Sequence, residues 1–445
     1  MWYPNITLTR RFRLSFMIFL ILTFFIVSPL IILYTAGYRY DRDTHRIKET
    51  GVITIDVQPN DATVHLNDIM LEQRLPIHLT NRAPGIYKLS IVRQGYLPWS
   101  IPIEVQSKQT TYITDISLYR DVLPTYEYPT PEGALSSFLS PDGRFIATIL
   151  HANTNIYEVL LYDLNTSEET TIWRGTSDMI PSLTWSPYAT LMALTVKRNR
   201  TFLTESIDAS KRTDSTTYTI SSTTTPDIQW TESRGDTLYL RDHTSIIALA
   251  GGTSNDIGTV SSSVPWFIDT SQNIWTLNEK GILMKNDVIV QTFDTPTYPL
   301  TIIGATSRYV LVQSSQTVQM LWLDSGDITS FATSHMFRLY AREATAGWIA
   351  WSPWEVYQIR DDGSHKLITR TNKPLHAVGR SDVHNSLIFV FDDSIAGFYP
   401  QFRTTQMLFE NTNTAIQTLS VQKDSQYILF ETAINGKNGI YKRAL

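Results

Sequence analysis

Short apolar strands, each entered from a polar turn, recur along most of this chain. "FIATI" begins at Phe145 after "SPDGR" (140–144), and "LMALT" begins at Leu191 after "SPYAT" (186–190). Comparable strands begin at Thr237, Asn273, Tyr309, Trp348, Ser386 and Tyr427, at intervals between 36 and 46 residues. One small sheet with this repeat cannot bury both of its faces. Stacking like sheets around an axis gives each face a partner and leaves only short edges, so a period near 40 predicts a β-propeller. Eight strand starts predict eight blades. Seven is the alternative, because the third and fourth units are short.

The units share a later part as well. "EVLLYDLNTSEETTIWRG" (158–175), "QMLWLDSGDITSFA" (319–332) and "VYQIRDDGSHKLITR" (356–370) each read strand, turn, strand. Asp361-Asp362-Gly363 is a strong hairpin signal. The last unit, "YILFETAINGKNGIYKRAL" (427–445), lacks an outer strand. "RDVLPTYEYPT" (120–130) precedes the first unit and is expected to supply it, closing the ring. No segment of helical period follows residue 36, which argues against a TIM barrel or a doubly wound sheet. The phrase "SPDGRFIA" followed by a hairpin resembles the WD40-like repeats of TolB-type propellers. That likeness is specific over 135–196 and rests on spacing beyond.

The other end of the chain has a different texture. Residues 14–34, "LSFMIFLILTFFIVSPLIILY", carry no charge. As a helix they span roughly 30 Å, the hydrocarbon thickness of a bilayer. The run exceeds the apolar core of a signal peptide, and no small-x-small cleavage site follows, so it reads as an uncleaved transmembrane helix over 14–36. Arg10, Arg11 and Arg13 precede it; Arg39, Arg42, Arg46 and Lys48 follow it. Basic residues alone do not orient it. A short tail of residues 1–13 on the cytoplasmic side, with the large folded body outside, is the expected arrangement, because large bodies cross regardless of flanking charge.

Between the two lies a stretch of short alternating strands. "GVITIDV" (51–57) sets Ile53, Ile55 and Val57 on one face, and "TVHL" (63–66), "IYKLSIV" (86–92) and "TYITDISLY" (111–119) follow. Turn residues separate them, which predicts a small β-sandwich over 50–119. Pro59, Ala62, Val64, Leu66 and Asn67, with "APGIYKLSIVRQGYLPW" (83–99), resemble a PEGA domain; Asn60-Asp61 stands where that family has Glu-Gly. The resemblance implies an extracytoplasmic module that binds or spaces envelope components, without catalysis.

The chemistry is sparse. The chain has no cysteine, which excludes disulfides, thiolate metal sites and Cys nucleophiles. Its net charge of −5 argues against a nucleic-acid partner. Nine histidines show no zincin spacing; His376 and His384 are the nearest approach to a metal pair. Asp361-Asp362, Asp392-Asp393 and Asp324/Asp327 fall at turns, where Asp bonds nearby amides. There is no Gly-x-Ser-x-Gly elbow or P-loop; "GTSNDIG" (252–258) opens no helix, and "KRNR" (197–200) reads as a hairpin tip. No catalytic, cofactor or metal residue is assigned, and no cofactor is expected. The tryptophans are assigned to packing between blades, except that "WIAWSPW" (348–354) is dense enough to turn one ring toward a ligand.

The sequence therefore predicts an all-β protein behind one transmembrane helix, held in the cell membrane by residues 14–36, with residues 120–445 as the propeller. The expected role is to present that propeller outside the membrane to a protein or glycan partner. The alternative is an envelope hydrolase working on glycan or peptide through the propeller funnel. A scaffold assembling through lateral sandwich contacts is a third reading.

Overall fold

The computed structural model describes residues 10–445 apart from 36, 42–45, 188–189, 212–214, 221–224, 231–236, 294–299, 315–316, 334, 340–346, 382–385, 412–413, 417–418 and 422–426. It separates into two compact units, Met1–Asp121 and Val122–Leu445.

The first unit opens with helix α1 (Arg10–Thr35). It starts ahead of the uncharged run, because nothing among Arg10–Arg13 breaks a helix. The residues of its apolar stretch, Phe12–Thr35, are not buried by the protein. Inside it the hydroxyls of Thr23 and Thr35 donate back to the carbonyls of Phe19 (2.8 Å) and Ile31 (3.0 Å), so neither needs water. A hairpin of β1 (Tyr38–Asp41) and β2 (Arg46–Glu49) follows.

The sandwich consists of β3 (Gly51–Gln58), β4 (Thr63–Leu66), β5 (Ile69–Met70), β6 (Ile77–Arg82), β7 (Gly85–Val92), β8 (Trp99–Val105) and β9 (Thr110–Ser117). One sheet has the order β6-β3-β9, with β3 and β9 parallel; the other has β5-β4-β7-β8. Ile53, Ile55 and Val57 lie fully inside, as their alternation requires, and the other sheet buries Leu89, Ile91, Ile101 and Ile103. The sequence pattern missed β5, β6 and β8. Pro102 sits inside β8, and proline ordinarily argues against a strand. Here β8 is an edge strand that pairs only with β7, so the missing N–H disrupts no ladder on its outer side.

The second unit is a β-propeller. Among the described residues it has eight four-stranded antiparallel sheets, spanning 134–176, 182–220, 228–259, 266–292, 301–331, 335–370, 375–410 and, for the eighth, 419–444 together with 125–129. Each strand start read from the sequence belongs to the second strand of a blade. The first strands of neighbouring blades approach one another, as do Ala134–Leu139 with Ser182–Trp185 and Trp266–Ile268 with Thr301–Ala305, so these line the axis. Fourth strands such as Thr253–Thr259 are exposed along almost their whole length and form the rim.

The eighth sheet closes the ring. β10 (Thr125–Pro129) pairs antiparallel with Lys437–Ala444, setting Tyr126 opposite Tyr441. Tyr128 of this strand stacks on Tyr162 of blade 1, with 4.2 Å between ring centroids, beside Ile146, Leu429 and Ile440. Apolar clusters repeat between successive blades: Phe145, Val159 and Leu194 join blades 1 and 2, and Leu311, Met320 and Ile359 join blades 5 and 6. The tryptophans share in this packing. Trp185 donates to the Phe138 carbonyl at 3.1 Å, and the Trp322 ring lies where a Cβ on Gly363 would have to be.

Candidate functional site

The opening motif turns out to be structural. Ser140 N–H donates to the Phe145 carbonyl (2.9 Å), Ser140 Oγ accepts from Phe145 N–H (2.8 Å), and Asp142 accepts from Arg144 N–H (3.1 Å). Arg144 then reaches Asp163 at the end of the third strand, 2.8 Å away. Burial acts to raise the Asp163 carboxyl. The guanidinium of Arg144 and the amide of Asn165 more than offset that and hold it below its ordinary value. The turn recurs elsewhere with other side chains. The N–H of Ser186, Asp269 and Thr306 donates to the carbonyl of Leu191, Asn273 and Tyr309, at 2.8, 3.1 and 2.9 Å. Ser, Asp and Thr all cap such a turn, which is why spacing outlasted the letters.

The other sequence features resolve similarly. Asp361-Asp362-Gly363 makes a third-to-fourth-strand hairpin, with Gly363 at φ 83° and its N–H on the Arg360 carbonyl (2.9 Å). Asp393 pairs with Lys373 (2.8 Å) and accepts from Ser394 Oγ (2.7 Å); Asp392 lies 3.6 Å from His376. Asp324 and Asp327 flank the turn in which Gly326 N–H meets the Trp322 carbonyl (3.1 Å). The run 197–200 is the tip of a blade 2 hairpin, and Gly251-Gly252 is a turn leading into an exposed strand. His384 lies outside the described residues. Among those described, no three His, Cys, Asp or Glu side chains gather as a metal site.

A different set of residues forms a cavity of about 590 Å³ at the axis. Its wall comes from the first strands of blades 3 to 6: Gln229 and Trp230, Trp266 and Phe267, Ile302 and Ile303, Met336 and Phe337. Trp348, from the second strand of blade 6, completes it. This is the segment whose tryptophan density suggested a ligand-facing ring. Trp351 instead stacks on His335, 4.3 Å between centroids, and Trp354 is exposed.

The cavity's polar groups are mostly engaged with the protein. Arg241 donates to the Val264 carbonyl (2.5 Å) and the Ser261 carbonyl (3.2 Å) and pairs with Asp227. Gln229 acts as a two-bond clamp on blade 4: its Nε2 donates to the Ile268 carbonyl (3.0 Å) and its Oε1 accepts from Ile268 N–H (3.1 Å). Asp227 is the sole carboxylate among the described lining residues. The wall is thus aromatic and rigid, with one half-exposed ion pair at its edge. Such a wall suits flat or apolar groups. The signal for it was a weak one, since "DIQW" (227–230) and "PWFI" (265–268) are too short to stand out from other strands.

Comparisons with known proteins concern the fold. The chain is similar to the C-terminal WD40 domain of Sif2, at 12% sequence identity and a TM-score of 0.48, over 73% of this chain and 99% of that one. No family model matches the chain, and no curated protein matches it.

Proposed function

We propose that this chain is a membrane-anchored binding scaffold that uses its propeller to hold a protein partner outside the membrane. The observation that carries the reading is the axial cavity, a wall of Trp230, Trp266, Trp348, Phe267 and Phe337 held in shape by the Gln229 clamp. Large aromatic side chains in a preformed recess supply most of the binding energy at interfaces. The unburied apolar surface of α1 supports a bilayer anchor, and the large folded body after it, of a kind that crosses regardless of flanking charge, supports an inside N-terminus. The sandwich, with its likeness to a PEGA module, fits an envelope location.

A hydrolase acting through the funnel would need two carboxylates about 5–10 Å apart. The lining supplies Asp227, already engaged by Arg241. Binding is therefore the better supported role, with a glycan as the second ligand class.

The test uses the full chain in detergent, incubated with membrane and envelope extracts, beside Trp230→Ala and Phe337→Ala. Retained species should fall about tenfold in the variants, as for loss of one aromatic hot spot, compared per folded protein well below the melting temperature, because both rings also pack against blade cores. Retention that is identical in all three proteins overturns the role given to the cavity. Proteolysis of intact cells decides the side: digestion of the propeller from outside is expected, and full protection overturns the orientation.

A further inference from the structure

The sandwich has four strand edges, and they are not alike. β5 is two residues long, β6 ends on Asn81 at φ 61° and the cation Arg82, and β8 carries Pro102 and Glu104. Each of these is a device that keeps an edge from pairing with another chain. β9 has none of them over Thr110–Thr114, a run of strand-forming residues without charge or proline. Among the described residues β9 pairs only with β3, at the margin of the β6-β3-β9 sheet.

The pairing with β3 decides which backbone groups face outward. Val52 N–H donates to the Gln109 carbonyl (3.0 Å), and the parallel register sets Val52 beside Thr110. Alternate residues of a strand face one neighbour, so Gln109, Thr111 and Ile113 turn toward β3. Thr110, Tyr112 and Thr114 turn their N–H and C=O groups the other way. Side-chain burial follows the same alternation, with Ile113 buried and Tyr112 62% exposed. The outward residues, Thr110, Tyr112 and Thr114, form the same series in both directions. Laid antiparallel on a second copy about a two-fold axis through Tyr112, the edge sets Tyr112 opposite Tyr112 and Thr110 opposite Thr114. Aromatic–aromatic and Thr–Thr pairs are favourable across strands. Asp115, the first charge past this run, sits at a register shift with φ 62° and falls opposite Gln109, clear of its own copy.

We infer that β9 is the seat of a symmetric dimer between two copies of this chain, joining their sheets edge to edge in the order β6-β3-β9-β9-β3-β6. The occupant is a second copy because the outward groups are their own complement, as a closed two-fold interface requires. A five-residue edge is about 17 Å long and buries far less than the ~1,200 Å² of a stable interface in solution. The pairing therefore depends on confinement of both copies to one bilayer, which raises their effective concentration. In this it rests on the reading that α1 spans a membrane. In one bilayer the two-fold stands along the membrane normal, so the paired strands run parallel to the membrane.

The chain has no native cysteine, so single substitutions report the register. Full-length Tyr112→Cys, Thr110→Cys, Thr114→Cys and His78→Cys are reconstituted in phosphatidylcholine vesicles at low protein density, floated on a density gradient and treated with a short bifunctional thiol reagent. His78 is exposed on β6, the opposite edge of the same sheet. Tyr112→Cys should give a covalent dimer, since residues directly opposite have Cβ atoms about 4.5–5.5 Å apart. Thr110→Cys or Thr114→Cys alone should crosslink severalfold less, because like positions are then offset by four residues, about 13 Å. The two mixed should crosslink well above either alone, and His78→Cys should remain monomeric. If the variants float but Tyr112→Cys gives no dimer, or His78→Cys crosslinks as well as it does, or the mixture gains nothing over its components, the inference fails and the anchor stands. If the variants do not float with the vesicles, the anchor reading fails and takes the inference with it.

Discussion

Asp163 is only 2% exposed, and Arg144 above it is half-exposed. Substituting Arg144→Met leaves that carboxylate buried with only the Asn165 and Thr166 amides to offset its charge. We expect a loss of about 2–4 kcal/mol, below the value for a fully buried pair because solvent screens Arg144. The pH dependence follows from the depressed folded pKa. The stabilisation is complete above the unfolded value of 3.8 and disappears as pH falls through the lower folded value. Asp163→Asn should flatten that acid limb in melts recorded against pH. Glu431 behaves in the opposite sense. It is 9% exposed, burial raises its pKa, and the Thr130 hydroxyl (3.2 Å) offsets this only in part. Its folded form is most stable below the unfolded value of 4.5 and loses stability as pH rises through the raised folded value. Glu431→Gln should therefore raise the melting temperature at neutral pH and leave it unchanged in acid; no rise at neutral pH counts against this. Neither residue stands out in the sequence, because burial of a single carboxylate is decided by the neighbouring blade. Ser140 and Gly143 were legible, since a tight turn restricts its residue types at fixed positions.

At the level of elements, blades depend on glycine where a neighbour's ring comes close. Gly363 has φ 83°, and a Cβ there would fall 2.2 Å from the Trp322 ring. Gly363→Ala combines left-handed backbone strain with overpacking and should cost about 2–4 kcal/mol in thermal or denaturant unfolding. The Asp-Asp-Gly hairpin was readable from the letters. The ring that demands its glycine was not, because that contact joins two blades. The closing strand offers a sharper case. Tyr128 is 4% exposed, stacks on Tyr162 and donates to Glu169 at 2.5 Å. Tyr128→Ala should cost about 3–5 kcal/mol, as for other large buried aromatics, and Tyr128→Phe much less. Equal losses would mean that the hydroxyl and not the ring holds the seam. The need for an outer strand was visible in the unpartnered strands of 427–445. The cavity wall was not, since it takes short pieces from four blades and no local pattern records that convergence.

Across the whole molecule, charge is unevenly divided. Residues 1–121 hold 13 basic and 10 acidic side chains, and residues 122–445 hold 24 and 32. An acidic propeller should pass through a heparin column at about 0.15 M salt; retention there would contradict the expectation of no nucleic-acid partner. The closure also sets an order of events. The strand Thr125–Pro129 leaves the ribosome long before Lys437–Ala444, its mate. At about 5–20 residues per second the interval is on the order of half a minute. Throughout that time blade 1 waits with its seam bare. Nascent chains stalled short of residue 437 should therefore be digested readily, whereas released chains resist, and a chaperone that shields the early blades during synthesis would find its substrate in that gap.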